Sequence, residues 1–183
     1  LTGSANGVLT QVYYDEDAND GKGKIIITEI NTYVGEIGSV VKATSSADRY
    51  VNVTKASNGK NPGTLNTKFE TEDFAKGDLI TYTAAYNEST KKYDVQTVAN
   101  LEKSFSGVLT AWKGTSVVDD DKGTSNSNFT VDGTKYEYSA QAGIATADGF
   151  NNWQPDDIAS FDVNKSEINV YLDEYGYAIY VTG

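Results

Sequence analysis

The densest chemistry in this chain is carboxylate. Asp15-Glu16-Asp17 runs into Asn19-Asp20, and Asp119-Asp120-Asp121 stand side by side later on. Clustered side-chain oxygens suit calcium, a hard cation that collects many oxygen ligands. The helix–loop–helix calcium pattern is not met, because its glycine would fall at Asp20 and its last ligand at Ile26. Asp15, Asp17 and Asp20, with Asp119, Asp120 and Asp121, are therefore candidate calcium ligands. The other reading of the same residues is a pair of solvated acidic turns.

Aromatic residues supply the second candidate chemistry. Trp153 sits among Asn151, Asn152, Gln154 and Pro155, where an indole can stack on a sugar ring or bury at a packing interface. Tyr175 and Tyr177, with Tyr171 and Tyr180 nearby, could form a ligand-binding aromatic patch. Cross-strand tyrosine pairs would give the same pattern without any ligand. Trp112 lies within a strand pattern and reads as core.

Catalysis has few candidates. The 183 residues contain no His and no Cys. A Ser/His/Asp or Cys/His nucleophile cannot be built, and no disulfide or thiolate metal site is available. Phosphate-cradling glycine loops are missing as well. A carboxylate pair of the glycosidase kind needs only two acids, but short strands leave little room for a deep cleft. An intramolecular Lys–Asn crosslink has its residue types but no diagnostic motif. Asn52-Val53-Thr54, Asn128-Phe129-Thr130 and Asn164-Lys165-Ser166 fit the N-glycosylation triplet. We expect no catalytic residues and a non-enzymatic protein.

The elements that must carry these residues read as strands. Thirteen Tyr and seventeen Gly, with abundant Val and Thr, favour strands and turns. Ile168, Val170 and Leu172 alternate with Asn169, Tyr171 and Asp173, so one face is buried and one is wet. Tyr177, Ile179 and Val181 repeat the alternation beyond the turn Asp173-Glu174-Tyr175-Gly176. Leu79 to Tyr86 pairs likewise with Lys92 to Val98 across Asn87 to Lys91. Val8 to Tyr14 and Ile25 to Ile30 form another hairpin around Asp15 to Lys24. Val108 to Trp112 and Asn128 to Asp132 flank Asp119 to Gly123, and Asp132-Gly133 is a type I′ turn candidate. The segments Lys55 to Lys68 and Gln141 to Asp157 read as long polar stretches before the last hairpins. No helix is expected.

Self-similarity organises these strands. Asn6-Gly7-Val8-Leu9-Thr10 returns as Ser106-Gly107-Val108-Leu109-Thr110, and Asp20-Gly21-Lys22-Gly23 returns in the same register as Asp120-Asp121-Lys122-Gly123. Ile26 to Tyr33 resembles Phe129 to Tyr136. Lys76 to Tyr82 resembles Lys165 to Tyr171, and Tyr93 to Thr97 parallels Tyr177 to Val181. We expect an all-β fold of two tandem small modules, barrel or sandwich, related by internal duplication. Module one covers 1–103 and module two 104–183. No Pro/Gly linker separates them, so they should abut.

Net charge is −11, with about −3 on residues 1–100 and −8 on residues 101–183. Such a surface repels phosphate backbones, which makes nucleic acid a poor partner. No apolar run is long enough to span a bilayer, so no membrane insertion is expected. A mean hydropathy of −0.47 implies thin cores. The chain opens on Leu1 rather than Met, which points to a piece of a longer protein.

Asn169-Val170-Tyr171-Leu172-Asp173-Glu174-Tyr175-Gly176-Tyr177, and Val131-Asp132-Gly133-Thr134-Lys135-Tyr136, resemble segments of the β-repeat regions of S-layer-type surface proteins of Gram-positive gut bacteria. The resemblance covers much of module two and extends to module one. It implies an extracellular, cell-surface location and a scaffold role, with neighbouring modules of the same or like chains as partners. The helical S-layer homology motif is not present in this sequence, so wall anchoring does not carry over. The expected function is a structural or interaction module. The alternative is a carbohydrate-binding or adhesive module that takes cell-wall or host glycans.

Overall fold

The computed structural model describes residues 8–55, 65–113, 128–146, 149–150 and 157–183. Among them, β1 (Val8–Asp15) and β2 (Lys24–Asn31) form a separate two-stranded ribbon, in register from Val8↔Asn31 to Asp15↔Lys24. A single helical turn, α1 (Ala18–Gly21), sits in their connection.

The first six-stranded sheet comprises β3 (Tyr33–Val41), β4 (Tyr50–Lys55), β5 (Leu65–Asn66), β6 (Lys68–Glu70), β7 (Leu79–Asn87) and β8 (Lys92–Asn100). Its order is β5-β8-β7-β3-β4-β6. The two end strands are separated only by Thr67, so the sheet closes on itself as a barrel. The second sheet comprises β9 (Phe105–Lys113), β10 (Asn128–Val131), β11 (Thr134–Thr146), β12 (Gly149–Phe150), β13 (Glu167–Leu172) and β14 (Ala178–Thr182). Its order is β10-β9-β13-β14-β11-β12, and β10 also pairs with β11, which closes a second barrel. The protein is all-β, and its two modules are tandem barrels.

With β5 and β6 taken as one interrupted strand, both barrels follow the order first–second–third–fifth–fourth. In both, the third and fifth strands run parallel. Both bulges also coincide. Ladder pairing skips Gly38 between Ile37↔Val53 and Ser39↔Asn52, and skips Thr110 between Leu109↔Val131 and Ala111↔Thr130. It skips Gln96 between Thr83↔Thr97 and Ala84↔Val95, and Ile179 between Tyr171↔Tyr180 and Leu172↔Ala178. Bulges are positional features rather than defects. Two of them at matching places are what a duplicated module requires.

The register of the duplication differs from the one expected. β9 corresponds to β3, so Gly107 matches Gly35 and not Gly7. Ile168 corresponds to Ile80 and not Leu79, because Glu167 and Leu79 occupy the same ladder position against β9 and β3. The polar stretches also differ. Leu65–Asn66, Lys68 and Gln141 to Thr146 are strand, and they supply the third strand of each barrel. β3 shows no alternation, since it carries Gly35 and Gly38 and is buried at Tyr33, Val34 and Gly35 in succession; β4 alternates only over Val51, Asn52 and Val53, too briefly to mark a strand.

Alternation fills each barrel. Tyr33, Ile37, Val51, Val53, Ile80 and Tyr82 form the first core, with Tyr33 and Tyr82 stacked at 5.4 Å. In the second, Phe129 lies 5.8 Å from Tyr136 and 5.0 Å from Tyr138, over Leu109, Ile168 and Val170. Ile158, on a 3-10 turn at Asp157–Ser160, is fully buried in that cluster. Trp112 packs against its margin, half-buried. The Asp132-Gly133 turn has φ of 48° and 84°, the left-handed pair that a type I′ hairpin needs.

Candidate functional site

The two barrels meet along an apolar seam. β14 is buried at Ala178, Ile179, Tyr180 and Val181 in succession. Ala178 and Val181 face the second core, while Ile179 and Tyr180 turn outward onto Val34 of β3 and onto Leu101. The bulge at Ile179 makes this possible by letting one strand present apolar side chains to two interiors. Leu79 and Tyr171 pack at the rim of the seam, with Tyr171 5.0 Å from Tyr180. Burial pushes the Tyr180 hydroxyl well above its ordinary pKa, with Tyr171 and Glu36 adding to the effect.

The connection between barrels is fastened at both ends. Leu101 N–H donates to the Leu79 carbonyl at 2.9 Å, and Ser104 N–H to the Val170 carbonyl at 2.9 Å. The Ser104 hydroxyl accepts from Leu172 N–H at 2.9 Å. Four residues so tethered cannot act as a swivel.

A groove of about 360 Å³ runs beside this connection. Its walls include Thr81, Thr83, Thr97 and Asn100 from the first barrel and Leu172, Asp173 and Glu174 from the second. Thr83 and Thr97 hydroxyls lie 2.7 Å apart across the β7–β8 ladder. At its far side, Asp173 Oδ1 accepts from Tyr175 and Tyr177 N–H, both at 2.9 Å, and so fixes the β13–β14 turn. Burial raises the Asp173 carboxyl above the usual carboxylate range, opposed by those two N–H groups.

The sequence candidates fall elsewhere or apart. Asp15 ends β1 opposite Lys24, its Oδ1 accepts from Asp17 N–H at 3.2 Å, and Asp15, Asp17 and Asp20 are all exposed. They are not brought into a group of three carboxylates, and no such group exists among the described residues. Asp119, Asp120, Asp121 and Trp153 lie outside the described residues. Tyr175 is exposed on the β13–β14 turn and Tyr177 is half-buried beside it, whereas Tyr171 and Tyr180 belong to the seam. Sequence reasoning missed the seam itself. Its available signal was the unbroken apolar run Ala178 to Val181, the mark of a strand covered on both faces.

Comparison with protein families, curated proteins and solved structures finds no match.

Proposed function

We propose that the chain is a non-catalytic structural module of a bacterial cell-surface protein, a rigid two-barrel segment that spaces and stacks with neighbours of its own kind. The seam supports this reading: a buried apolar contact and a connection hydrogen-bonded to both barrels fix one barrel against the next. A segment that sets distance and orientation needs that rigidity, whereas a pair of independent binding modules does not. The resemblance to S-layer-type β repeats adds the extracellular location. The net charge of −11 suits a surface that stays soluble and repels its own kind except at specific contacts.

The groove beside Asp173 favours a second reading, a glycan site, because hydroxyl and amide side chains line it. Two experiments test these readings, and the second separates them. Antibody raised against the 183-residue chain should label intact producing cells, and the chain should bind no glycan on an array. Labelling only after lysis overturns the surface reading. Glycan binding that Thr83→Val or Asn100→Ala abolishes favours the second.

A further inference from the structure

The β1–β2 ribbon is apolar where it should be wet. Val12, Tyr13, Tyr14, Ile25, Ile26 and Ile27 are exposed by 40–67 %. The pairs Val12↔Ile27 and Tyr14↔Ile25 place four of them on one face. Both outer edges of the ribbon lack a strand partner among the described residues. An isolated two-stranded hairpin is marginal in water, and a bare apolar face with open edges marks a contact surface.

Its place in the chain says what that contact is. β7–β8 is the fourth-and-fifth-strand hairpin of the first barrel, and the second barrel's first strand starts a few residues after it ends, at Phe105. β1–β2 stands in the same relation to β3, which starts at Tyr33 directly after Asn31 and Thr32. Each ends in Asn at the base of its hairpin, paired with an aliphatic residue: Asn100↔Ile80 and Asn31↔Val8. The ribbon's base is half-buried, while its outer part is bare.

We propose that β1–β2 is the closing hairpin of a third barrel of the same strand order, its ladder running unbroken where β7–β8 and β13–β14 carry a bulge. Its partner is an open three-stranded sheet, equivalent to the one Tyr33 to Glu70 forms, supplied by polypeptide on the N-terminal side of residue 1. β1 adds antiparallel to the first strand of that sheet, as β7 does to β3, and β2 adds parallel to the third, as β8 does to β5. Val12, Tyr14, Ile25 and Ile27 then become barrel core, while Thr10 and Glu29, on the same face, sit towards the base of the hairpin. This extends the serial-module reading above and is independent of where the protein resides, so failure of the surface-labelling experiment leaves it standing.

The test is hydrogen exchange on the 183-residue chain and on the natural protein extended upstream by a span like Tyr33 to Asp78. In the shorter chain the amides of Val12 to Tyr14 and Ile25 to Ile27 should exchange fast. In the longer one they should slow by about 100-fold or more, towards the rates of β7 and β8. Unchanged exchange overturns the proposal, as does an upstream sequence without three strand-forming segments. Ribbon protection in the short chain that is concentration-dependent and lost in Val12→Lys overturns it in favour of a second copy. Protection that appears only with anionic phospholipid vesicles overturns it in favour of a membrane.

Discussion

The guanidinium of Arg49 donates to the carbonyl oxygen of Phe74 at 2.6 Å, while Phe74 itself holds a φ of +67°. The same side chain donates to the carbonyls of Thr71 and Asp73, each at 2.6 Å. The chain's one arginine thus gathers three carbonyls of the loop that carries Phe74 against the first core. Left-handed backbone costs a non-glycine residue about 1–2 kcal/mol, and the planar fork offsets it.

Arg49→Lys should therefore fail nearly as badly as Arg49→Ala. A lysine keeps the charge but not the fork. Hydrogen bonds to a charged donor contribute about 1.5–3 kcal/mol, and a loss in that range is expected for both variants by urea denaturation. A lysine variant as stable as the parent would show that charge, and not geometry, holds the loop.

Gly107 and its counterpart Gly35 mark where a barrel's first strand passes from its fourth-strand neighbour to its second. A Cβ on Gly107 would collide with the side chains of Val131 and Asp132. Asp132 Oδ1 also accepts from Val108 N–H at 3.2 Å, so the collision disturbs a bond as well as packing. Gly107→Ala should cost about 1–3 kcal/mol, the usual range for overpacking. Thermal melts of the variant decide it, and an unchanged melting temperature would refute the close approach.

These two glycines also show what the sequence could and could not disclose. Strands with one wet face, such as Glu167 to Leu172, were legible by alternation, whereas the alternation expected of Tyr177, Ile179 and Val181 fails because Ala178 to Val181 is buried on both faces. The duplication was legible too, but its register was not. Gly7-Val8-Leu9 matches Gly107-Val108-Leu109 by letter, whereas the barrel equates Tyr33-Val34-Gly35-Glu36-Ile37 with Phe105-Ser106-Gly107-Val108-Leu109. Shape asks only for an aromatic, a glycine and an aliphatic pointing inward at alternate positions. A one-residue slip reverses every side chain, so matching Leu79 with Ile168 by letter put a half-buried residue opposite a buried one. The bulges at Gln96 and Ile179 break the period that alternation relies on. The run Ala178 to Val181 marks a strand covered on both faces but not what covers it, because its seam partner Val34 lies in β3, far away in sequence.

Asp173 gives the protein a pH dependence of defined sign. Its carboxyl is raised in the folded state by burial. The native form therefore holds the proton more tightly than the unfolded chain. Stability from this residue is fully present below the unfolded pKa and is lost as pH rises through the folded one. Asp173→Asn keeps the Oδ1 acceptor for Tyr175 and Tyr177 and removes the charge. The variant should gain most on the parent at pH 7, and the gap should narrow as pH falls towards 4. Denaturant midpoints at the two pH values measure it, and a constant gap would refute the assignment. Asp173→Ala, which loses both turn hydrogen bonds, should destabilise at either pH by about 1–3 kcal/mol.

Ile179 tests whether the seam makes the barrels one cooperative unit. It is fully buried, yet it belongs to the inter-barrel cluster and not to the core of its own barrel. A charge placed there must break the seam, because burying an unpaired carboxylate costs far more than separating two small apolar faces. Each barrel keeps its closed ladder, so neither should unfold outright. Ile179→Asp should turn one calorimetric transition into two, the lower one carrying the barrel that depended more on the contact. Leu101→Ala, a milder change at the same seam, should lower the single transition without splitting it, by an amount near the lower end of the roughly 2–5 kcal/mol typical of buried leucine. If Ile179→Asp melts in one transition at the parent's temperature, the barrels do not depend on each other, and a rigid spacer loses its physical basis.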